Sequence, residues 1–304
     1  MSSDPSGSDK VLRGLDGINP LGYLSALGVL AVISSDHSIR ARMSWSEEDT
    51  WHPVLRVENP ITDEQLSDRI YQSLKKKTTE LELGDNVVVG QDVFKAHAIK
   101  VVDEARSTDR TSVDLMTNFG CTICMDEESG KIYVTPFCFI KGSGHQYFLK
   151  TVRDLIGCVD QKKIHQFLFD RWTYNDPKHS MRWDPVEDRR YALMWENPSG
   201  SPPKTVWAAN LLAYRGLQLF PSVVRDGQLE TTGFTRMNKK DFFSWPIWEG
   251  MLSTDSVRSV LAQRELRDEV PDRERLHRMG IREVYRSERL RIGKFANFSP
   301  AGPV

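Results

Sequence analysis

"LGYLSALGVLAVI", Leu21–Ile33, is the most apolar run in the chain. It is shorter than the roughly 18 residues that a membrane-spanning helix needs, so it reads as a helix buried in a protein core. Asn19 stands where an N-cap would, and Pro20 falls at the first helical position, where a missing N–H costs nothing. Leu21, Leu24, Leu27, Val29 and Leu30 supply apolar bulk. Gly22, Ser25, Ala26 and Gly28 are small, which suits close packing, expected here against a sheet. No strand precedes the run and no glycine-rich fingerprint is met, which argues against a nucleotide loop.

Outward from this helix, "RARMSW" and "PVLRVE" alternate polar and apolar residues and read as strands. Thr62–Lys77 reads as a polar helix ending in "KKK", where lysines suit the helix dipole. "DVFKAHAIKVVDEAR" has helical spacing, and "DEESGK" reads as a hairpin turn before the strand "IYVTPFCFI". Helices are expected at Tyr147–Val159, in "KTVWAANLLAYRGLQLF" up to Pro221, and at Thr254–Leu266. Strands are expected on both sides of the acidic turn "DPVED", in "LETTGFTR" and in "DFFSWPIW". The elements alternate irregularly, without a βαβ rhythm. The fold class is therefore α+β: a mixed or antiparallel sheet packed with helices, and a basic C-terminal segment. The expected organisation is a disordered polar tail at 1–10, an α+β body at 11–250, and a helical then extended segment at 251–304 packed on that body.

The chain has 304 residues and a formal net charge of −1, so any nucleic-acid surface must come from local clustering. One stretch clusters strongly. Arg273, Arg275, Arg278, Arg282, Arg286, Arg289, Arg291 and Lys294 face only Glu274, Glu283 and Glu288 within Arg273–Lys294. In "EVYRSERLRIGKF", strand alternation would place Arg289 and Arg291 on one face, as candidate phosphate contacts. A solvated face paired with acidic partners is the competing reading. "KGSGHQ", Lys141–Gln146, joins a strand to a helix start. Either Lys141, Gly142, Ser143, Gly144, His145 and Gln146 meet an anion, or they only turn the chain. The spacing of a P-loop is absent.

Other constellations are thinner. Cys121 and Cys124 in "CTIC" have metal-ligand spacing, with Cys138 and His145 as conceivable partners, but a second close pair is missing. Four cysteines in 304 residues imply no disulfide framework and fit a reducing cytoplasm. Trp183 and Trp195 are either core or stacking platforms. No G-x-S-x-G occurs, and no cofactor is expected. Asp184, Glu187 and Asp188 lie close together beside Arg189 and Arg190, as a metal-dependent nuclease or as local charge pairing.

Five phrases go together: "NPLGYLSALGVLAV", "WDPVEDRRYALMWENPS", "VWAANLLAYRGLQLFP", "TTGF" and "VYRSERLRIGKFANFSPAGPV". In these the chain resembles the compact large-subunit family of type I-G (formerly I-U) CRISPR effector complexes, from Asn19 to Val304 and less clearly between His52 and Asp114. The resemblance implies a bacterial, cytoplasmic, non-catalytic subunit of an RNA-guided surveillance complex. Such a subunit reads the short motif flanking the target DNA and helps open the duplex. It also stabilises the R-loop and helps recruit a separate helicase-nuclease. Its implied partners are double-stranded target DNA, guide RNA through the complex, the backbone and guide-processing subunits and the helicase-nuclease, with no membrane. The resemblance supplies no residue-level motif, so the site residues rest on chemistry. Gln146 suits adenine and Lys141 suits guanine. Arg286, Arg289, Arg291 and Lys294 suit the phosphate backbone, and Arg182 and Asn210 are further candidates. The alternatives are the metal-dependent nuclease on Asp184, Glu187 and Asp188, and an adaptor that touches only protein.

Overall fold

Asn19 caps the apolar helix as its chemistry dictates. In the computed structural model, its Oδ1 accepts the N–H groups of Leu21 (2.8 Å) and Gly22 (3.2 Å). The structure describes residues 8–105, 109–187, 204–292 and 295–304. The described residues open with β1 (Ser8–Val11), so Ser8, Asp9 and Lys10, expected to belong to a disordered tail, lie in a strand. Helix α1 (Pro20–Ser34) follows, then the hairpin β2 (Ala41–Glu47) and β3 (Trp51–Val57), giving a sheet of order β1-β3-β2. Helix α2 (Asp63–Lys75) begins with a capping box between Thr62 and Gln65. Helices α3 (Gln91–Glu104) and α4 (Thr111–Phe119) lead into the hairpin β4 (Gly120–Met125) and β5 (Ile132–Val134), turning at the expected place.

The strand expected through "IYVTPFCFI" stops at Val134. Pro136 has no N–H for a ladder, and Cys138 N–H instead returns to Thr135 O at 3.0 Å. Helices α5 (Phe148–Cys158) and α6 (Gln161–Phe169) follow, then the short pair β6 (Asp176–Pro177) and β7 (Lys204–Thr205). The strand expected before "DPVED" is absent: Met181 N–H is taken by Asn210 Oδ1, and Pro185–Glu187 form a single 3-10 turn. The strand expected after it falls in 188–203, outside the described residues. Helix α7 (Trp207–Gly216) precedes the hairpin β8 (Ser222–Arg225) and β9 (Gln228–Thr231). Strands β10 (Phe234–Met237) and β11 (Lys240–Trp248), helices α8 (Thr254–Leu261) and α9 (Arg273–Arg278), and strands β12 (Ile281–Ile292), β13 (Phe295–Phe298) and β14 (Gly302–Pro303) complete the chain. The last sheet runs β10-β11-β12-β13, with β14 also on β12, and every strand pair described is antiparallel. The fold is α+β.

The small face of α1 packs on a helix, not on the expected sheet. A Cβ on Gly28 would lie 1.8 Å from the Leu212 carbonyl oxygen, and one on Gly216 would lie 2.3 Å from that of Leu24. Helices α1 and α7 thus cross backbone to backbone through two glycines. Tyr23 of α1 stacks on Trp45 (5.4 Å between centroids) and tilts against Trp245 (5.7 Å). The indole of Trp248 donates to Met43 O at 2.9 Å, which ties the two sheets together. Trp183 is fully buried, donates to Phe137 O at 2.9 Å, and meets Phe137 and Phe148 edge-on. It is core, not a stacking platform, and Trp195 lies outside the described residues. Within 251–304, Val257, Leu261, Tyr285, Ala296 and Phe298 belong to the main core.

Asn19 has a second duty. Its Nδ2 donates to Asp184 Oδ1 at 3.1 Å, across most of the sequence. Asn19→Ala removes a cap and a donor to a buried carboxylate together. The expected cost is about 2 kcal/mol, read by urea unfolding, against about 1 for a cap alone.

Candidate nucleic-acid interface

Lys141–Gln146 closes a tight loop between Ile140 and α5. Lys141 bridges Tyr147, and Gly142 N–H donates to Gln146 O at 2.8 Å. Gly142 has φ +103° and sits under the Tyr147 ring, where a Cβ would approach to 3.0 Å, so both conformation and space require glycine. Gly144 and His145 also have positive φ, at 62° and 60°. The loop therefore turns the chain, and it does so in a charged neighbourhood.

That neighbourhood comes from β12. Arg289 reaches back to the segment just before the loop: its Nε donates to Pro136 O at 2.8 Å, and its guanidinium lies 4.9 Å over the Phe139 ring. Burial, and then the like charge of Arg291, pull its pKa down to about 10. Arg291 is exposed and shares Asp241 with Arg289, at 3.5 and 3.9 Å. Lys141 joins them. Although the residue reaches solvent, desolvation of its ammonium lowers its pKa, and Arg289 and Arg291 lower it further. Two arginines thus share one carboxylate, Asp241, and Lys141 lies within reach of their field.

The other candidates divide sharply. Arg182 Nε donates to Gln146 Oε1 at 3.4 Å, so these two belong beside the loop. Asn210 is fully buried. It accepts from Met181 N–H at 2.8 Å and donates to Thr205 Oγ1 at 2.9 Å and Val206 O at 3.0 Å, so it reads no DNA. Arg286 is buried too. Its guanidinium donates to Ser244 Oγ and to the carbonyls of Leu266, Asp268 and Glu269. It closes the loop after α8 onto the sheet and is not a phosphate contact. Arg289 is buried below the cluster, contributing field rather than a free head group. Lys294 lies outside the described residues.

Strand alternation put Arg289 and Arg291 on one face, as their shared Asp241 shows, but it did not tell the buried arginine from the exposed one, because β12 has core on both faces. Elsewhere in the basic stretch the acidic-partner reading holds: Arg275 pairs with Glu265, Arg278 with Glu274 and Arg282 with Glu249. Arg286→Met strands a hydroxyl and three carbonyls. It is expected to cost roughly 2–3 kcal/mol in urea unfolding, with duplex affinity of the folded protein unchanged.

The acidic group is a buried hydrogen-bond node. Asp184 accepts from Asn19, from Tyr174 Oη at 2.9 Å and from Val186 N–H at 3.0 Å. Glu187 accepts from Ser180 and Thr205, and Asp188 lies outside the described residues. Among the described residues no cluster of three Asp, Glu, His or Cys side chains is placed to hold a metal. The Cys124 thiol donates to Gly227 O, and the Cys138 thiol, deeply buried, is pushed up to about 11. Among the described residues, neither Cys138 nor His145 comes together with Cys121 and Cys124 as a set of metal ligands.

Burial pushes Glu187 from its ordinary 4.5 up to about 7, and moves Asp184 in the same direction. An acid with a raised folded pKa holds its proton in the fold after the unfolded chain has lost it. Stability therefore falls as pH rises between about 4.5 and about 7. Glu187→Gln is expected to flatten this decline and to stabilise the protein by roughly 2–3 kcal/mol at mildly alkaline pH. Urea midpoints on either side of the window check it.

No sequence signal pointed to Asp241 or Phe139 as parts of the cluster. They lie in unrelated stretches and meet only through β11 and β12. Compared with known proteins, the chain matches no family model and resembles no curated protein significantly. No described helix is long and apolar enough to cross a membrane.

Proposed function

We propose that this chain is a non-catalytic, DNA-binding subunit of a bacterial RNA-guided surveillance complex. Guide RNA reads most of the target by base pairing, and this subunit engages the duplex that flanks it. The observation that carries the reading is the pair Arg289 and Arg291 at Asp241, with Arg289 also held against the Pro136–Cys138 segment that leads to Lys141. In a chain of net charge −1, such an excess of cations marks a place for phosphate. A phosphate seated there relieves the repulsion among the three cations and restores the lowered Lys141. Gln146, bonded to Arg182, stands beside the cluster with an amide suited to a base edge. The resemblance to type I-G large subunits supplies the rest of the role: opening the duplex, stabilising the R-loop and recruiting the helicase-nuclease.

The direct test is assembly with guide-bound backbone subunits. The protein is expected to co-purify with them and to raise the affinity of the complex for targets carrying the flanking motif. If it never associates, and complexes without it bind such targets equally well, the proposal is wrong. A protein-only adaptor is the second reading. Its support is the exposure of Ile99 and Val102 on α3 and of Ile123 on β4. Duplex binding that ignores salt would favour it.

A further inference from the structure

A cleft of about 330 Å³ lies away from the cation cluster, between α6, the irregular segment 171–176 and the start of α7. That volume sits at the lower end of the ~300–1,000 Å³ range of small-molecule sites. One wall is aromatic and held rigid. Trp172 stacks on Phe167 (5.7 Å), donates its indole N–H to Phe167 O (3.2 Å) and meets Tyr174 edge-on (6.1 Å). Tyr174 is fixed in turn by its hydroxyl on Asp184. Lys163 and Asp176 neutralise each other at 2.5 Å, and Asp176 also accepts the Trp207 N–H. These groups are scaffold.

The rim differs. Gln166, Arg171 and Asn175 are exposed, and none makes a side-chain hydrogen bond or ion pair with the described residues. A rigid aromatic wall, two amides able to donate and accept, one guanidinium and the exposed carboxylate of Asp170 meet in a space for one small ligand. Aromatic surface takes the face of a base, an amide pairs with a base edge, and a guanidinium takes a phosphate.

We infer that this cleft binds a single nucleotide, with its base on Trp172, its base edge at Asn175 and Gln166, and its phosphate at Arg171. The inference rests on the nucleic-acid reading above and adds to it a second site. The nucleotide is either free or one unit of a single strand, since both present the same chemistry.

Two probes separate these sources: adenosine monophosphate, followed by tryptophan fluorescence, and a short single strand carrying 5-iododeoxyuridine, photo-cross-linked and mapped by mass spectrometry. Cross-linking to the Trp172–Tyr174 peptide is expected, with binding reduced at least about tenfold in Arg171→Glu and in Asn175→Ala. Both substitutions are on exposed side chains, so loss of fold is not a route to the same result, and circular dichroism checks this. Quenching by the monophosphate, and its competition with the strand, assigns a free nucleotide. Cross-linking without such competition assigns a strand element. If neither probe engages the cleft while the wild-type protein still binds duplex through Lys141 and Arg291, the cleft inference is overturned and the DNA-binding reading stands. If duplex binding is also absent, both fall.

Discussion

Lys141→Glu combined with Arg291→Glu is expected to weaken duplex binding on the order of 100-fold at low salt, and to reduce the salt slope by about 2. The two side chains are exposed members of the same cluster, and their carriers are the loop after Ile140 and the end of β12. Each cation that meets a phosphate releases condensed counterions, so its removal lowers affinity for every sequence and flattens the response to salt by about one unit. Reversal goes further than neutralisation because it adds repulsion to the loss. Arg289 stays in place, buried over Phe139, and now faces carboxylates in addition to Asp241. Fluorescence anisotropy of a labelled duplex across a potassium chloride series measures both quantities. Unchanged affinity and slope in a folded double variant would remove the cluster from the interface. Glutamine at both positions should give the smaller effect in the same direction.

Gly28→Leu is expected to leave no folded protein, and Gly28→Ala to cost more than about 3 kcal/mol. Most overpacked sites relax by moving side chains. Here the nearest atoms to an added Cβ are the Leu212 oxygen at 1.8 Å, the Leu212 carbonyl carbon at 2.6 Å and the Gly216 nitrogen at 3.2 Å, all backbone. Relief requires α7 to move away from α1, which opens the centre of the core. With total stability of ordinary domains near 5–15 kcal/mol, a leucine there exceeds what the fold can absorb. Gly157→Ala is the control. It lies in α5 with nothing within 4 Å of the added methyl. There alanine is expected to stabilise by about 0.5–1 kcal/mol through its better helix propensity. Urea unfolding of the two alanine variants separates the cases. A Gly28→Ala midpoint close to wild type would mean the helices do not cross as described.

What could be read from the sequence were features whose causes lie within a few residues. Asn19 and Pro20 start α1 because a cap and a first turn are local chemistry. Thr62 and Gln65 start α2 for the same reason. The turn at "DEESGK" and the paired strands "RARMSW" and "PVLRVE" followed from turn residues and alternation, and the α+β class followed from their irregular order. The length and apolarity of Leu21–Ile33 also sufficed to make it core.

Tertiary structure alone decided which residue of each type does what. Arg286, Arg289 and Arg291 look alike in "YRSERLR". Yet one closes a loop from within the core, one lies buried over a ring, and one stands exposed at a shared carboxylate. Alternation assigns faces of a strand, but it does not say which faces are covered, and β12 is covered on both. The bond from Arg289 to Pro136 spans 153 positions, and no local pattern encodes a contact of that separation. Likewise, small residues in α1 announced a close approach without naming the partner, which proved to be the equally small Gly216 of α7. Secondary structure is set by short-range sterics and hydrogen bonding, which composition and spacing reveal. Burial of a charge, the company it keeps and the pKa that results depend on which distant segments fold against it.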